Sequence, residues 1–372
     1  MTAGEEPVGA GQKPLGAGQK PRSAAEAAKA AKANGGRLEA PHRRGGGATS
    51  PRVVERLAVV GYRSMAWLLS VLPPTLAAAV IGRGSQLSYL LWPTKRGWSN
   101  RNFGHVLGLP PDDPRVRSLA LRAYHEYGRY LVELMRLPTL PADEVAALVP
   151  ALDAVEIKRL WRETPGGGGL IFVVAHVGNN DAVAAAIARH EMPISVVADD
   201  SSFPEVFEML RRERESWGVR VVAWRNLREI FSVLRRREML ALLVDWGYRS
   251  DGIPVKLFGA WTALPAGAAT LAAKTGSRIL PITIRREAAG TFQVSWAPPI
   301  DVASSDPAAL QRATQAMADA LATTIAAAPE QWYSFKPIWP NDPAEIADLE
   351  RRAGLMLAGS QDPGPVAGPP AT

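Results

Sequence analysis

The sequence predicts an α/β protein in which a mixed, mostly parallel β-sheet is flanked by helices and preceded by a separate helical region. Two observations favour this fold class. After Pro165, short apolar runs alternate with amphipathic or alanine-rich segments, a pattern typical of a parallel sheet between helices. The first run, residues 170–174, is apolar without interruption and rich in β-branched residues, as expected of a strand buried on both faces.

Composition and charge exclude several classes of protein. With 372 residues, 47% of them hydrophobic, the chain can bury one large core or two small ones. Cysteine is absent, which excludes a disulfide framework and a thiolate nucleophile, and the five scattered histidines predict no metal site. Residues 1–54 hold nine Lys or Arg and four Glu, so they carry +5 of the net +7. The near-neutral remainder argues against a nucleic-acid partner.

The N-terminal segment, residues 1–54, is predicted to be a disordered basic tail. It repeats GAGQKP at 9–14 and 16–21 and is rich in glycine, alanine and lysine. It contains no apolar run typical of a cleaved signal peptide. A basic tail beside an apolar segment indicates an anionic membrane surface as a partner.

Residues 55–150 are predicted to be a helical, membrane-associating region. The window 64–82 carries no formal charge, but Pro73 and Pro74 lie in its middle and would break a spanning helix. We therefore expect two short helices lying in the membrane interface. The alternative is that this hairpin packs on the protein's own core. A longer helix is predicted at 116–137, where apolar residues recur at helical spacing.

The region after Pro165 is predicted to contain the sheet, and residues 353–372 to be a disordered tail. Two strands, near 254–258 and at 291–297, are expected to run antiparallel and make the sheet mixed. The other strands are predicted at 169–174, 194–198, 219–223, 239–244 and 278–284. The helices are predicted at 181–190, 203–216, 226–237, 265–276 and 307–328. His176 and Asp245 both follow the ends of predicted strands, where ligands bind in sheets of this kind.

The turn after the first strand, AHVGNND, carries the candidate chemistry. Were residues 176–181 all helical, five steps of ~100° would turn the side chains of His176 and Asp181 roughly 140° apart. With His176 in the strand-end turn and Asp181 in the first helical turn, the carboxylate can reach one imidazole nitrogen and leave the other as a general base. The turn has no Ser or Cys, so a substrate would supply the attacking hydroxyl. The residue types alone leave a capping aspartate and a structural histidine open.

AHVGNND resembles the H-x4-D/E motif of the glycerolipid acyltransferase superfamily. It is most similar to the HxGNWD/E form of bacterial lipid A acyltransferases and actinobacterial phosphatidylinositol mannoside acyltransferases, with Asn180 where those relatives usually carry Trp. Later segments follow in a similar order: RRERESWG at 211–218, a strand ending in Asp245, GIPVKLFG at 252–259, LPAGAATLAAKTGSRILPI at 264–282 and PEQWYSFKPIW at 329–339. The resemblance covers roughly residues 55–340. It implies a glycerol-3-phosphate acyltransferase-like domain at 151–340, packed with 55–150 as one unit.

The resemblance also implies a function. It indicates a membrane-associated O-acyltransferase on the cytoplasmic face of the cell membrane, moving a fatty acyl group from acyl-CoA or acyl-carrier-protein to a hydroxyl of a glycolipid. The expected acceptor is a phosphatidylinositol mannoside, with a lysophospholipid or another sugar lipid as alternatives. No cofactor is expected beyond the acyl donor. A non-catalytic lipid-binding protein on the same fold, or a hydrolase that gives the acyl group to water, remains open.

The candidate site residues fall into three groups. The catalytic pair is His176, the base, and Asp181, which orients it. Backbone N–H groups of residues 177–180 are candidate donors to the oxyanion, and a phosphate of donor or acceptor is expected to bind the arginines of helix 203–216, for which a solvated charged face is the alternative. The predicted substrate-binding residues are Gly178, Asn179, Asn180, Arg211, Arg212, Arg214 and Asp245.

Overall fold

The computed structural model describes residues 51–200 and 203–359. The predicted disorder of residues 1–50 and 360–372 lies outside these residues. Both tails were predicted too long, because helices occupy part of each: the first helix begins at Pro51 and the last, Pro343–Ala358, continues past residue 353. That last helix buries Leu349 and Ala353, and it packs on the helix at 307–327 and on the β-hairpin at 253–264.

Four helices form the N-terminal region: α1 (Pro51–Val71), α2 (Pro74–Leu91), α3 (Pro93–Leu107) and α4 (Pro114–Arg136). Each has proline in its first turn, where the missing N–H costs no hydrogen bond and the fixed φ favours helix. The predicted break at the proline pair and the predicted helix at 116–137 are both confirmed. Within the described part of the chain, no helix has the length and apolarity needed to cross a membrane.

Helix α2 packs on α4 through a glycine contact. A Cβ added to Gly128 would stand 2.6 Å from the Cα of Gly82, so only glycines allow this close approach. The inner face of α2 buries Ala77 and Tyr89, as the core-packing alternative expected. The outer faces of α1 and α2 remain exposed and form what we call the exposed apolar face. Its residues are Leu57, Val60, Met65, Trp67, Leu68, Val71, Leu76, Val80, Leu87, Leu90, Leu91 and Trp92.

The main sheet has six strands, and the predicted mixed, mostly parallel α/β fold is confirmed. The strands are β1 (Leu170–Val174), β2 (Ile194–Ala198), β3 (Arg220–Ala223), β4 (Met239–Leu243), β7 (Arg278–Arg286) and β8 (Phe292–Trp296). Their order in the sheet is β3-β2-β4-β1-β7-β8, in which only the edge strand β8 runs antiparallel. The other helices are α5 (Ala142–Ala147), α6 (Ala154–Arg162), α7 (Asn180–Arg189), α8 (Pro204–Ser216), α9 (Leu227–Arg235), α10 (Gly267–Thr275), α11 (Pro307–Ala327) and α12 (Pro343–Ala358).

The strand near 254–258 does not join the main sheet, so that part of the prediction is wrong. It forms β5 (Ile253–Leu257) and pairs with β6 (Ala260–Leu264) in a separate hairpin. Phe258 and Gly259 both have positive φ, which suits a two-residue hairpin turn. The side-chain amide of Gln315 on α11 bonds the N–H and C=O of Lys256, at 2.8 and 2.9 Å. A helix side chain thus satisfies backbone groups that a further strand would otherwise pair.

The register of the main sheet places the candidate residues side by side. Strand β1 lies between β4 and β7, with Val174 opposite Leu243. His176 and Asp245 each follow these residues by two positions, so they emerge at the same level on neighbouring strands. The sheet therefore brings together two residues that are 69 positions apart in sequence.

Candidate active site

His176 is paired with Asp245. Its Nδ1 lies 2.6 Å from Asp245 Oδ1, and its backbone N–H donates to both carboxylate oxygens, at 3.2 and 3.0 Å. The Asp245 side chain is 1% exposed and the His176 side chain 21% exposed. The predicted contact between Asp181 and His176 is wrong. The imidazole is oriented by Asp245, and its Nε2 is the nitrogen that this contact leaves for a substrate.

Asp245 is itself held by the C-terminal segment. The indole N–H of Trp332 donates to Oδ2 at 2.7 Å, and the hydroxyl of Ser334 donates to the Asp245 carbonyl at 2.7 Å. Burial acts to raise the pKa of this carboxyl group, but the adjacent imidazole and the hydrogen bonds from His176 and Trp332 outweigh it and hold the pKa below its ordinary value. Asp245 is therefore a carboxylate at neutral pH, suited to stabilise an imidazolium.

Asp181 forms an ion pair with Arg214 instead. Arg214 Nε lies 2.6 Å from Asp181 Oδ1, and the two side chains are 17% and 11% exposed. Asp181 is the second residue of α7, and its carboxylate faces α8, which carries Arg214, rather than β4. Burial acts to lower the pKa of Arg214, but the Asp181 charge and hydrogen bond raise it, so the guanidinium stays charged. The pair ties the motif helix to α8.

The other two arginines of α8 are also ion-paired. Arg211 bonds Glu208 and Glu215 at 2.7 Å each, and Arg212 bonds Glu208 at 2.9 Å. With Arg214 held by Asp181, none of the three arginines predicted to bind a phosphate is brought to His176 by a contact in the structure. For Arg211 and Arg212 the structure matches the alternative of a charged, solvated face.

The turn between β1 and α7 has a fixed backbone. Gly178 has φ +66°, and a Cβ there would stand 2.8 Å from the carbonyl oxygen of Ile284, so glycine is required. The N–H of Val177 donates to Ala175 at 2.8 Å, and that of Gly178 donates to the carbonyl of Gln331 at 3.3 Å. Two of the predicted oxyanion donors are thus already occupied.

Asn179 and Asn180 retain backbone donors at the start of α7. Asn179 caps the helix, because its Oδ1 accepts from the N–H of Ala182 at 3.0 Å. Asn180 donates from Nδ2 to the Ala175 carbonyl at 3.1 Å, whereas its buried Oδ1 has no hydrogen-bond partner among the described residues. None of the described residues accepts from the backbone N–H of Asn179 or Asn180. Asn179 is fully buried whereas Asn180 is partly exposed, so the N–H of Asn180 is the remaining candidate for an oxyanion site.

A buried arginine on β7 links the turn to α4, and sequence reasoning missed it. The guanidinium of Arg286 bonds both carboxylate oxygens of Glu133, at 2.7 and 2.8 Å, and Glu126 at 2.6 Å. Glu133 in turn accepts from the side-chain amide of Asn179 at 3.3 Å. Burial acts to lower the Arg286 pKa, but Tyr333 and the two glutamates raise it. No sequence motif indicated this network, because its hydrogen-bonded partners lie 46 to 160 positions apart.

The C-terminal segment 331–334 contacts the turn between β1 and α7 directly, which the sequence analysis did not predict. The N–H of Tyr333 donates to the His176 carbonyl at 2.8 Å, next to the Gln331 and Trp332 bonds already described. The aromatic content of PEQWYSFKPIW indicated burial but carried no signal for these backbone contacts.

Trp246 is a further residue that the sequence analysis did not single out. Its side chain is exposed, although its ring lies 5.0 Å from the His176 ring at an interplanar angle of 36°. The ammonium of Lys336 lies 4.3 Å from the same indole. An exposed indole thus stands beside the candidate base, where a substrate must approach. No group of three metal-ligating side chains occurs within residues 51–200 and 203–359.

Comparisons with known proteins identify the family. The family model described as bacterial lipid A biosynthesis acyltransferase matches residues 48–341. A phosphatidylinositol mannoside acyltransferase of Mycolicibacterium smegmatis is 31% identical over 307 residues, which are 80% of this chain and 94% of the relative. The protein of that name from Mycobacterium tuberculosis H37Rv is 32% identical over 268 residues, 68% of this chain and 79% of the relative. The chain therefore belongs to the bacterial lipid A biosynthesis acyltransferase family and is an acyltransferase.

Proposed function

We propose that this acyltransferase moves a fatty acyl group from an acyl thioester to a hydroxyl of a glycolipid, with a phosphatidylinositol mannoside as the acceptor. The acceptor rests on the names of the relatives, which align with up to 80% of the chain. The chemistry rests on one observation, the His176–Asp245 pair at the carboxyl edge of the sheet with a partly exposed imidazole. The donor is acyl-CoA or acyl-carrier-protein.

In the proposed reaction, His176 Nε2 takes the proton of the acceptor hydroxyl as its oxygen attacks the thioester carbonyl carbon. The tetrahedral intermediate then collapses: the new C–O ester bond is kept, the C–S bond breaks, and the leaving thiolate takes the proton from the imidazolium. Asp245 keeps the proton of the neutral ring on Nδ1 and stabilises the imidazolium. General base catalysis of this kind contributes ~10²–10⁴-fold.

The oxyanion is proposed to bind at the start of α7. The free N–H of Asn180, a partly exposed residue, lies at the positive end of a ten-residue helix, which favours developing negative charge. The Gly178 bonds and the Asn179 cap fix this backbone before substrate binds, so little reorganisation is needed during the reaction.

Peripheral membrane association is proposed through the exposed apolar face of α1 and α2. Trp67 and Trp92 are interfacial anchors, and Arg63, exposed one helical turn from Trp67, suits anionic headgroups. The thioester donors are made in the cytoplasm, so the cytoplasmic face of the cell membrane is the proposed location. The basic tail would add attraction to that surface.

The test is product analysis with the purified full-length protein. Acyl-CoA is incubated with phosphatidylinositol mannosides, lysophospholipids and other glycolipids, and the products are identified by mass spectrometry. We expect an acylated phosphatidylinositol mannoside, and none with His176→Ala, whose fold is checked by circular dichroism. Acceptor-independent release of free fatty acid would instead identify a hydrolase, and acylation of lysophospholipid alone would refute the glycolipid acceptor.

A further inference from the structure

A polar pocket lies between α2 and α4, and no contact joins its lining residues to His176 within the described part of the chain. Its volume is about 250 Å³, and we call it the α2–α4 pocket. This is smaller than the ~300–1,000 Å³ of sites for drug-sized ligands, so it suits a headgroup rather than a whole lipid. The residues lining it are Arg83, Gln86, Arg122, His125, Glu126 and Glu330.

The two arginines of the pocket have no carboxylate partner among the described residues. Arg83 donates only to the side chain of Gln86, at 3.0 Å, and Arg122 only to the hydroxyl of Ser118, at 2.9 Å. Most other arginines near the motif are held in ion pairs, as Arg214 and Arg286 are. Two uncompensated guanidinium groups on facing helices favour an anion with several oxygens.

An unsatisfied buried nitrogen lies in the same pocket. The Nδ1 of His125 is buried and has no hydrogen-bond partner in the described part of the chain. The imidazole packs on Gly82, where a Cβ would stand only 2.5 Å from Nδ1. The glycine crossing of α2 and α4 thus places this ring against the backbone. A buried polar atom without a partner costs free energy and calls for an explanation, which an ion or water bound beside the ring would supply.

The two carboxylates of the pocket indicate which groups the ligand carries besides its anionic oxygens. Glu126 is already neutralised, because Arg129 bonds one oxygen at 3.0 Å and Arg286 the other at 2.6 Å. Glu330 forms no ion pair among the described residues, so it would repel a bare anion but accept hydrogen bonds from hydroxyl groups. The donors and acceptors together fit a phosphate ester that also carries hydroxyls.

We propose that the α2–α4 pocket binds the phosphate of a hydroxylated phosphoglycerol- or phosphoinositol-type headgroup, as a second site distinct from the acyl-transfer site. Arg83 and Arg122 bind the phosphate, and Glu330 accepts a headgroup hydroxyl. The location indicates an anionic lipid as the source. Arg83 lies three residues after Val80 and four before Leu87, so all three share one face of α2, and both apolar residues are exposed. Acyl chains could thus continue from the pocket onto the exposed apolar face.

The test measures binding and therefore does not depend on acyl transfer. The full-length protein is titrated with glycerophosphoglycerol, the soluble headgroup of phosphatidylglycerol, and separately with inorganic phosphate, while the imidazole resonances are followed by NMR. His125→Gln assigns the relevant resonance. Cosedimentation with phosphatidylcholine vesicles, with and without phosphatidylglycerol, measures binding to the lipid itself. We expect glycerophosphoglycerol to shift the His125 resonance and leave that of His176 unchanged.

A matched pair of variants separates the pocket from general charge attraction. Arg83→Gln with Arg122→Gln removes two charges from the pocket, and Arg117→Gln with Arg312→Gln removes two exposed charges outside it. We expect the pocket variant to bind headgroup and anionic vesicles at least about tenfold more weakly than the control, since charge-assisted hydrogen bonds are lost.

The outcomes decide both the site and its source. Tighter binding of glycerophosphoglycerol than of phosphate identifies a lipid headgroup, and equal binding identifies free phosphate as the source. An unchanged His125 resonance with every probe, or equal loss of vesicle binding in pocket and control variants that melt as the wild type does, would overturn the proposal.

Discussion

Replacing Asp245 with asparagine is the sharpest test of the proposed mechanism. Oδ1 of Asp245 contacts the ring nitrogen of His176, and Oδ2 accepts from the indole of Trp332. An amide can keep only one of these bonds. If its oxygen faces the imidazole, its NH₂ opposes the Trp332 N–H; if its NH₂ faces the imidazole, Nδ1 becomes the acceptor and the proton moves to Nε2, where the base is needed.

The expected magnitudes follow from this geometry. When the asparagine NH₂ faces the indole N–H of Trp332, two buried donors lack an acceptor, which lowers the free energy of unfolding by about 1–3 kcal/mol. The chemical step loses ~10²–10⁴-fold, because the imidazolium loses its counter-charge or the neutral ring adopts the wrong tautomer. The assay is single-turnover acyl transfer, with the rate divided by the folded fraction measured by circular dichroism.

Asp181→Asn is the matched comparison, since it is the same substitution 64 positions earlier. It leaves the guanidinium of Arg214 without its charged partner, which at a buried pair costs about 3–5 kcal/mol. The rate per folded molecule should stay within about tenfold of wild type, because Asp181 does not contact His176. A near-normal rate for Asp245→Asn, or an equal loss for both variants per folded molecule, would refute the assignment of Asp245 as the orienting residue.

Three further predictions concern backbone, pH and membrane. Gly178→Ala should lower the free energy of unfolding more than Gly108→Ala does, because both glycines have positive φ but only Gly178 has a close neighbour; equal losses in urea denaturation would contradict this. The native pKa of Asp245 lies below its ordinary 3.8, so its stabilisation is fully present above that pH and is lost as the pH falls through the lower native value. The excess stability of wild type over Asp245→Asn, measured by urea denaturation, should therefore not decline between neutral pH and about pH 4 and should be lost only below it; a decline already at pH 6 would contradict the assignment. Trp67→Ser should weaken cosedimentation with vesicles without changing the melting temperature, and unaltered binding would exclude this residue as an anchor.

The sheet could be predicted from sequence because its signals are local. Uninterrupted apolar runs such as residues 170–174 and turn-bounded helices such as 307–327 have a periodicity that a short window contains. The strand near 254–258 was assigned to the main sheet, because alternation within a strand does not specify which strand it pairs with. The side chain of Gln315, on a helix distant in sequence, bonds the backbone N–H and C=O of Lys256 and occupies the groups that a further strand would pair with.

The position of His176 was predictable for the same reason, whereas its partner was not. Asp181 is five residues away and Asp245 is 69, and spacing within a turn favoured the near carboxylate. The sheet register instead places Asp245 beside His176, since β1 and β4 are neighbours and end at the same level. The near carboxylate is instead neutralised by Arg214, a residue that the sequence analysis had assigned to phosphate binding. A charged residue in a motif can be retained for its ion pair rather than for contact with substrate.

The turn between β1 and α7 is held by contacts from both the helical N-terminal region and the C-terminal segment. The turn spans only residues 175–180, too short to bury a core of its own. Its conformation is determined by backbone bonds to Gln331 and Tyr333 and by the Asn179 contact to Glu133 on α4. Arg286 joins these supports, because its side chain bonds Glu133 while its backbone N–H and C=O bond the Gln331 amide, at 2.7 and 3.0 Å. A substitution at Arg286 should therefore disturb the turn from both sides at once, although this residue does not contact His176.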